Sequence, residues 1–118
     1  MHELSLCKAI IDSINSEIKK LKTQPKQINV VRIVAGELHY IVKDNMELIF
    51  NELSKNTIME NSKLEILFKP LMYRCLKCGN EGEIIKSNFY CIKCNSSDID
   101  IISGKELYLE SIEVEEDE

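Results

Sequence analysis

The sequence predicts an α+β fold in which two helices pack on a small mixed β-sheet, with an inserted zinc-ribbon-like module that holds four cysteines. Three observations support this fold class. Two segments repeat apolar residues at helical spacing, three segments have the composition or alternation of strands, and two CxxC pairs lie between the last two predicted strands. With 118 residues, the chain is long enough for one small domain and a metal-stapled insertion.

The first predicted helix covers residues 3–22. Its apolar residues recur at spacings of three and four, and charged residues occupy the opposite face. Pro25 ends this segment, because proline cannot continue a helix. We expect Cys7 to be a small buried residue of the apolar stripe rather than a reactive thiol. The stripe consists of Leu4, Cys7, Ile10, Ile11, Ile14, Ile18 and Leu21.

A strand and a second helix follow. The run Ile28–Ala35 is rich in β-branched residues on both faces, which is typical of a strand covered on both sides. The second helix is predicted over residues 44–55. Asp44 is its predicted N-cap, and Glu47 completes a capping box three residues later. Its buried stripe is predicted to be Met46, Ile49, Phe50 and Leu53.

Two more strands enclose the cysteine module. Residues 63–69 alternate, with Leu64, Ile66 and Phe68 on one face, and residues 106–114 form the last predicted strand. Between them, a short hairpin is expected within 83–89. The predicted organisation is therefore a main domain of residues 1–69 and 105–118 and a metal module of residues 70–104.

The two CxxC pairs predict a metal site. Cys75 and Cys78 form one pair, Cys91 and Cys94 the other, and twelve residues separate them. Two such turns facing each other present four thiolates as a tetrahedron, a ligand set that suits Zn²⁺. Four protein ligands leave no position for substrate. We therefore expect a structural zinc site, and no enzymatic activity at it.

Other interpretations of the cysteines are weaker. A thioredoxin-like CxxC would occur once rather than twice. No apolar signal segment follows Met1, so the sequence does not indicate the oxidising compartment that disulfides need, and a cytoplasmic location is expected. An iron–sulfur site with the same ligand count is not distinguished by spacing. A zinc hydrolase would need an open coordination position and ligands of mixed type.

Charge and hydropathy argue against two classes of partner. The net charge is −5, from 15 basic and 20 acidic residues, whereas nucleic-acid binding proteins usually present a basic face to the phosphates. No apolar run approaches the ~20 residues that cross a bilayer. We expect neither nucleic-acid nor membrane binding.

A second metal signal lies at the amino terminus. The amine of Met1, the amide nitrogen of His2 and its imidazole can form two fused chelate rings around one ion. Three nitrogens near one plane favour Ni²⁺ or Cu²⁺. The amide or the carboxylate of Glu3 is a candidate for a further ligand. Because a helix is predicted to begin at once, these residues would be held close to the protein surface.

Taken together, the segments resemble a known family. The Met1-His2-Glu3 start, the segment Val31–Leu38 and the four-cysteine module occur in the order found in the HypA/HybF nickel metallochaperones, and the resemblance covers essentially the whole chain. It implies a nickel site at Met1, His2 and Glu3 and a zinc site at Cys75, Cys78, Cys91 and Cys94.

The resemblance also implies a role and partners. Members deliver Ni²⁺ to the large subunit of [NiFe]-hydrogenase, and in some organisms to urease through its maturation proteins, together with a HypB-type GTPase. Residues 1–69 and 105–118 would then be the nickel-binding domain. Some members recruit histidines near the zinc module. His39 is the other histidine of this chain and lies just after the first strand, where a solvated role is expected. The alternative function is a zinc-ribbon adaptor that binds a protein or RNA without metal cargo.

Overall fold

The computed structural model describes residues 2–115, and at His2 the backbone alone. Two α-helices and six strands follow one another, with a short 3-10 helix at Glu37–His39. The predicted α+β class is confirmed, and the cysteine module adds a sheet of its own that was not predicted. The elements are α1 (His2–Lys19), β1 (Gln27–Gly36), α2 (Lys43–Ser54), β2 (Lys63–Lys69), β3 (Met72–Cys75), β4 (Glu81–Glu83), β5 (Ile99–Ser103) and β6 (Leu107–Glu115).

The chain divides into two compact units. The first contains the residues up to Val34, Ile41–Leu67 and the residues from Tyr108 onward. The second contains Ala35–Tyr40 and Phe68–Leu107. The segment Ala35–Tyr40, which contains the end of β1 and the 3-10 helix, thus groups with the cysteine module, which the sequence did not indicate.

In the first unit, the three-stranded sheet has the order β2-β1-β6. The central strand β1 buries Ile28, Val31, Ile33 and Val34, as expected of a strand covered on both sides. Arg32 of β1 forms ion pairs with Glu65 of β2 and with Glu113 of β6, and so connects all three strands.

Helix α1 is shorter than predicted. It ends at Lys19, where the N–H groups of Lys20 and Leu21 donate to the carbonyls three residues earlier, which tightens the last turn. Leu21 is 41% exposed, so its assignment to the buried stripe was wrong, whereas Cys7, Ile10, Ile14 and Ile18 are buried. Between residues 2 and 115, no helix has the length and apolar character to cross a bilayer.

Helix α2 begins one residue earlier than predicted, and its cap differs. The N-cap is Val42, an extended residue without a side-chain capping bond, so the capping box at Asp44 and Glu47 was wrong. Glu47 instead lies 3.8 Å from Lys43 Nζ, one turn away on the same helix. Met46 and Phe50 are buried as predicted.

The second unit contains a three-stranded sheet of order β4-β3-β5. Strand β3 pairs antiparallel with both neighbours, so that Arg74 lies opposite Glu81 on one side and Asp100 on the other. The hairpin predicted within 83–89 does not form: β4 ends at Glu83 and pairs back with β3. The sequence missed all three strands of this sheet, because each is short and closely flanked by turns.

Two glycines meet in this unit. A Cβ on Gly36 would lie 1.9 Å from the carbonyl oxygen of Gly104. The chain segments around them are joined by the N–H of Gly36, which donates to Glu106 O at 2.6 Å, and by the N–H of Leu38, which donates to Gly104 O at 3.0 Å. Only glycine permits so close an approach of two backbones.

Candidate metal centre

The first CxxC turn begins where β3 ends. The N–H of Cys75 donates to Asn80 O at 2.8 Å, and the N–H of Gly79 donates back to Cys75 O at 3.0 Å. Gly79 has a φ of 79°, which glycine adopts at little cost. The resulting knuckle turns Cys75 and Cys78 towards one point.

The second CxxC turn repeats this pattern. The N–H of Cys91 donates to Ser96 O at 2.8 Å, and the N–H of Asn95 donates to Cys91 O at 2.7 Å. Asn95 has a φ of 63° and takes the place that Gly79 has in the first knuckle, because asparagine tolerates the left-handed conformation better than most residues.

The four sulfurs converge as predicted. They all lie within 4.8 Å of one another, and no other group of potential metal ligands is found among the described residues. Cys75 Sγ is 3.5 Å from Cys94 Sγ, and Cys78 Sγ is 3.6 Å from Cys91 Sγ. A tetrahedral site with Zn–S bonds of 2.3 Å separates its sulfurs by about 3.8 Å. The cluster therefore fits a four-coordinate metal ion.

Hydrogen bonds from backbone amides stabilise the thiolate form of Cys75. The N–H of Cys78 and that of Lys77 each donate to Cys75 Sγ at 3.4 Å. Led by the Cys78 bond, these hydrogen bonds lower the pKa of Cys75 against the opposing effect of burial. A thiolate is the form that binds a metal.

Cys91 and Cys94 differ in their pKa values. Burial disfavours the thiolate of Cys91, but the N–H groups of Cys94 and Lys93, together with hydrogen bonds from the thiols of Cys78 and Cys94, outweigh burial and lower the pKa of Cys91 to about 6. The Ser96 N–H stabilises the Cys94 thiolate, yet the hydrogen bonds with the other thiols, together with burial, raise the pKa of Cys94 to about 11. Without a metal, the four thiols therefore do not all ionise at neutral pH.

Tyr73 joins the two knuckles, which the sequence did not predict. Its side chain on β3 is fully buried, and its hydroxyl oxygen accepts hydrogen bonds from Asn80 Nδ2 at 3.1 Å and from the Ile92 N–H at 3.2 Å. Asn80 follows the first knuckle, and Ile92 lies within the second. The one available signal was a tyrosine two residues before Cys75, which does not reveal its partners.

The positive residues beside the sulfurs have different partners. Arg74 directly precedes Cys75, and its Nε donates to Glu81 Oε2 at 2.8 Å across the β3–β4 pair. Lys77 and Lys93 are exposed and have no ion-pair partner within residues 2–115. Their charges are therefore available next to the cluster.

At the predicted nickel site, the structure describes Glu3. Met1 and the side chain of His2 lie outside what is described. Glu3 Oε2 accepts a hydrogen bond from the N–H of Val42 at 3.0 Å. Because Val42 is the N-cap of α2, this bond ties the first turn of α1 to the start of the other helix.

Cys7 lies one helical turn after Glu3 and is buried, as expected. Its Sγ is 3.5 Å from the thioether sulfur of Met46 and donates to the Met46 carbonyl at 3.6 Å. Burial, and then the nearby charge of Glu3, raise the pKa of Cys7 to about 11. Cys7 therefore remains a neutral thiol in the contact between α1 and α2.

His39 lies in the 3-10 helix after β1, and its Nε2 is 3.0 Å from Lys105 O. A carbonyl accepts, so this nitrogen carries the proton in that contact. His39 is not among the residues of the described metal-ligand group.

Comparison with known proteins identifies related chains. A family model described as "Hydrogenase/urease nickel incorporation, metallochaperone, hypA" matches residues 1–114. The hydrogenase maturation factor HypA of Caldanaerobacter subterraneus subsp. tengcongensis is 35% identical over 116 residues, which cover 98% of this chain and 100% of the relative. HypA of Methanocaldococcus jannaschii is 32% identical over 121 aligned residues, with 98% of each chain covered.

A solved structure shares the fold. The solution structure of the Ni metallochaperone HypA from Helicobacter pylori superposes with a TM-score of 0.68 and covers 99% of this chain and 100% of that chain. The sequence identity is 24%, so the similarity concerns the fold.

Proposed function

The chain belongs to the HypA family of hydrogenase/urease nickel incorporation metallochaperones, and on this basis we propose that it carries Ni²⁺ at Met1, His2 and Glu3. The observation that supports this site most directly is the start of α1 at His2, with Glu3 tied to Val42. A terminal chelate is useful for transfer only if the protein presents it in a defined place.

The start of a helix suits the proposed chelate. The first N–H groups of an α-helix have no partner within the helix, so the amide nitrogens of His2 and Glu3 can lose their protons without breaking the helical hydrogen-bond ladder. The positive end of the helix dipole also favours deprotonation of the amine and the amides. Imidazole, amine and amide nitrogens then supply the planar donor set that Ni²⁺ prefers.

The hydrogen bond of Glu3 supports a division of roles within that residue. Its Oε2 is already engaged with the Val42 N–H, so its carboxylate would orient the terminus while its backbone amide is the candidate ligand. Such a site remains open on one side. A partner protein can therefore remove the ion by stepwise ligand exchange, which a closed protein cage would prevent.

Zinc is the proposed occupant of Cys75, Cys78, Cys91 and Cys94. When bound, it supplies a rigid crosslink between the knuckles rather than a reactive centre. The knuckle amides and Tyr73 orient the sulfurs. We propose that this module is structural, that residues 1–69 with 105–118 form the nickel-binding domain, and that the protein is not an enzyme.

The proposed recipient is the large subunit of [NiFe]-hydrogenase, and in organisms with urease the urease maturation proteins as well. A HypB-type GTPase is the proposed partner in delivery, and the proposed location is the cytoplasm. These assignments rest on family membership, since the relatives are named hydrogenase maturation factors.

The experiment that tests the nickel site is a nickel titration of untagged, zinc-loaded protein beside His2→Ala, with zinc measured at each point. We expect the wild-type protein to bind one Ni²⁺ per chain and to show the d–d absorption of a square-planar complex. The variant should lose both the bound nickel and this absorption, while its zinc content is unchanged. An N-terminal tag of many residues without histidine should have the same effect, because it removes the amine of Met1 from the chelate. His39→Ala is the matched control and should bind nickel normally.

Two results would contradict the proposal. Equal nickel binding by the wild-type protein and His2→Ala would place nickel elsewhere. Absence of binding by either protein would favour the zinc-ribbon adaptor without metal cargo.

A further inference from the structure

The two knuckles expose the same residue types in the same order. The first residue between the cysteines is a large aliphatic one, Leu76 or Ile92, and the second is a lysine, Lys77 or Lys93. Leu76 is 60% exposed and Ile92 is 70% exposed. Neither side chain is needed to fill a core, so each leaves apolar surface in water.

The sulfur cluster connects the two loops that carry these residues. Contacts of 3.5 and 3.6 Å between sulfurs join one knuckle to the other, so the loops that carry Leu76 and Ile92 are attached to the same small cluster. Phe89 and Tyr90 directly precede Cys91, and each is 39% exposed. We define the knuckle surface as Leu76, Lys77, Phe89, Tyr90, Ile92 and Lys93.

The knuckle surface differs in charge from the rest of the chain. Segments 75–80 and 84–97 contain three lysines and no acidic residue, so all 20 Asp and Glu residues lie elsewhere. Lys77, Lys86 and Lys93 are exposed and make no ion pair with any residue from 2 to 115. Four thiolates around one dication carry a net charge of −2. The three lysines contribute +3, so the region as a whole has a net positive charge.

We propose that the knuckle surface is a docking site for a polypeptide segment that carries carboxylates beside large apolar side chains. Aliphatic and aromatic groups at the centre would bury the apolar residues of the partner, and the lysines around them would pair with its carboxylates. A nucleic acid fits less well, because three lysines provide few phosphate contacts and the chain as a whole is acidic. The inference does not depend on the nickel site.

The test is an NMR titration of ¹⁵N-labelled, zinc-loaded protein. The probe is a short synthetic peptide of Asp, Glu, Leu and Phe, and two comparison peptides replace either its acidic residues with Lys or its apolar residues with Ser. We expect the first peptide to shift the amide signals of residues 76–78 and 89–94, and both comparison peptides to bind much more weakly.

Variants distinguish peptide binding at the knuckle surface from non-specific apolar binding. Ile92→Ser should weaken peptide binding about tenfold, and Lys77→Glu combined with Lys93→Glu should abolish it. The matched control is Leu48→Ser on α2, because Leu48 is also 70% exposed but belongs to the first unit. It should bind the peptide like the wild-type protein. Zinc content, measured in every variant, confirms that the module is intact.

Four outcomes would overturn the proposal. Equal losses in Ile92→Ser and Leu48→Ser would indicate non-specific apolar binding, and shifts confined to other residues would place the peptide elsewhere. Tighter binding of a single-stranded oligonucleotide at the same amides would identify a nucleic-acid site. Self-association that Ile92→Ser removes would make a second copy of the chain the occupant.

Discussion

The hydroxyl oxygen of Tyr73 accepts a hydrogen bond from the Ile92 N–H at 3.2 Å, and this bond connects the core of one sheet to the second cysteine knuckle. The same oxygen accepts a bond from Asn80 Nδ2, next to the first knuckle. A single buried side chain thus holds the two halves of the metal centre in register.

Tyr73→Phe should loosen the metal centre without removing a ligand. It leaves the Ile92 N–H and the Asn80 amide without their acceptor, which should destabilise the second unit by about 1–3 kcal/mol. We expect faster zinc transfer to a chromophoric chelator. Tyr108→Phe is the control, because Tyr108 is 47% exposed. Equal transfer rates in the two variants would show that the Tyr73 bonds do not stabilise the centre.

Zinc binding should release protons, and their number should depend on pH. At about pH 7.5, Cys94, with a pKa of about 11, is protonated in the metal-free protein, whereas Cys91, with a pKa of about 6, is mostly thiolate. Zinc must therefore displace the proton of Cys94. Below about pH 6, Cys91 is also protonated, so more protons are released and zinc affinity falls more steeply with decreasing pH.

Calorimetry can count these protons. Titrations of zinc into metal-free protein, in buffers of different ionisation enthalpy, should give a larger proton release at about pH 5.5 than at about pH 7.5. Cys7→Ser is the control, because the Cys7 thiol is buried against Met46 outside the cluster. This variant should release as many protons on zinc binding as the wild-type protein. A proton count that does not change with pH would contradict the assigned pKa values.

The bond between Glu3 and Val42 should stabilise the start of α1. Glu3→Ala removes the acceptor for the Val42 N–H and should cost about 1 kcal/mol of unfolding free energy, whereas Glu3→Gln keeps an acceptor oxygen and should cost less. Urea denaturation measures both. Glu17→Ala is the exposed control, since its partner Lys20 is on the surface, and a change below about 0.5 kcal/mol is expected. Equal stability of the Ala and Gln variants would indicate that the bond contributes nothing.

Gly36 and Gly79 should respond differently to alanine. A methyl group on Gly36 would lie 1.9 Å from the carbonyl oxygen of Gly104. Gly36→Ala should therefore lower the unfolding free energy by about 3 kcal/mol or more, because the overlapping atoms of Gly104 and Lys105 belong to the backbone and cannot rotate away. Gly79 has open space around it, and Gly79→Ala should cost only the left-handed strain of about 1–2 kcal/mol. Thermal unfolding of zinc-loaded protein compares them. A smaller loss in Gly36→Ala than in Gly79→Ala would contradict the close contact.

The sequence by itself determined what is local and periodic. It predicted both helices, the covered strand β1, the strands β2 and β6, and the four cysteines that converge, because apolar spacing and the CxxC turn are properties of short segments. The nickel ligands Met1, His2 and Glu3 stay predictions. The sequence also resembled the family to which the chain belongs.

Only the tertiary structure decided which distant residues meet. The Val42 N–H, at the start of α2, donates to the carboxylate of Glu3 on α1. The capping box predicted for Asp44 and Glu47 does not form, because α2 begins at Lys43 with Val42 as its N-cap. The tertiary structure also brought Tyr73 to both knuckles and Gly36 against Gly104. Most of these contacts join residues far apart in the chain, and no local pattern specifies them, because they arise only when sheets and helices bury their apolar faces together.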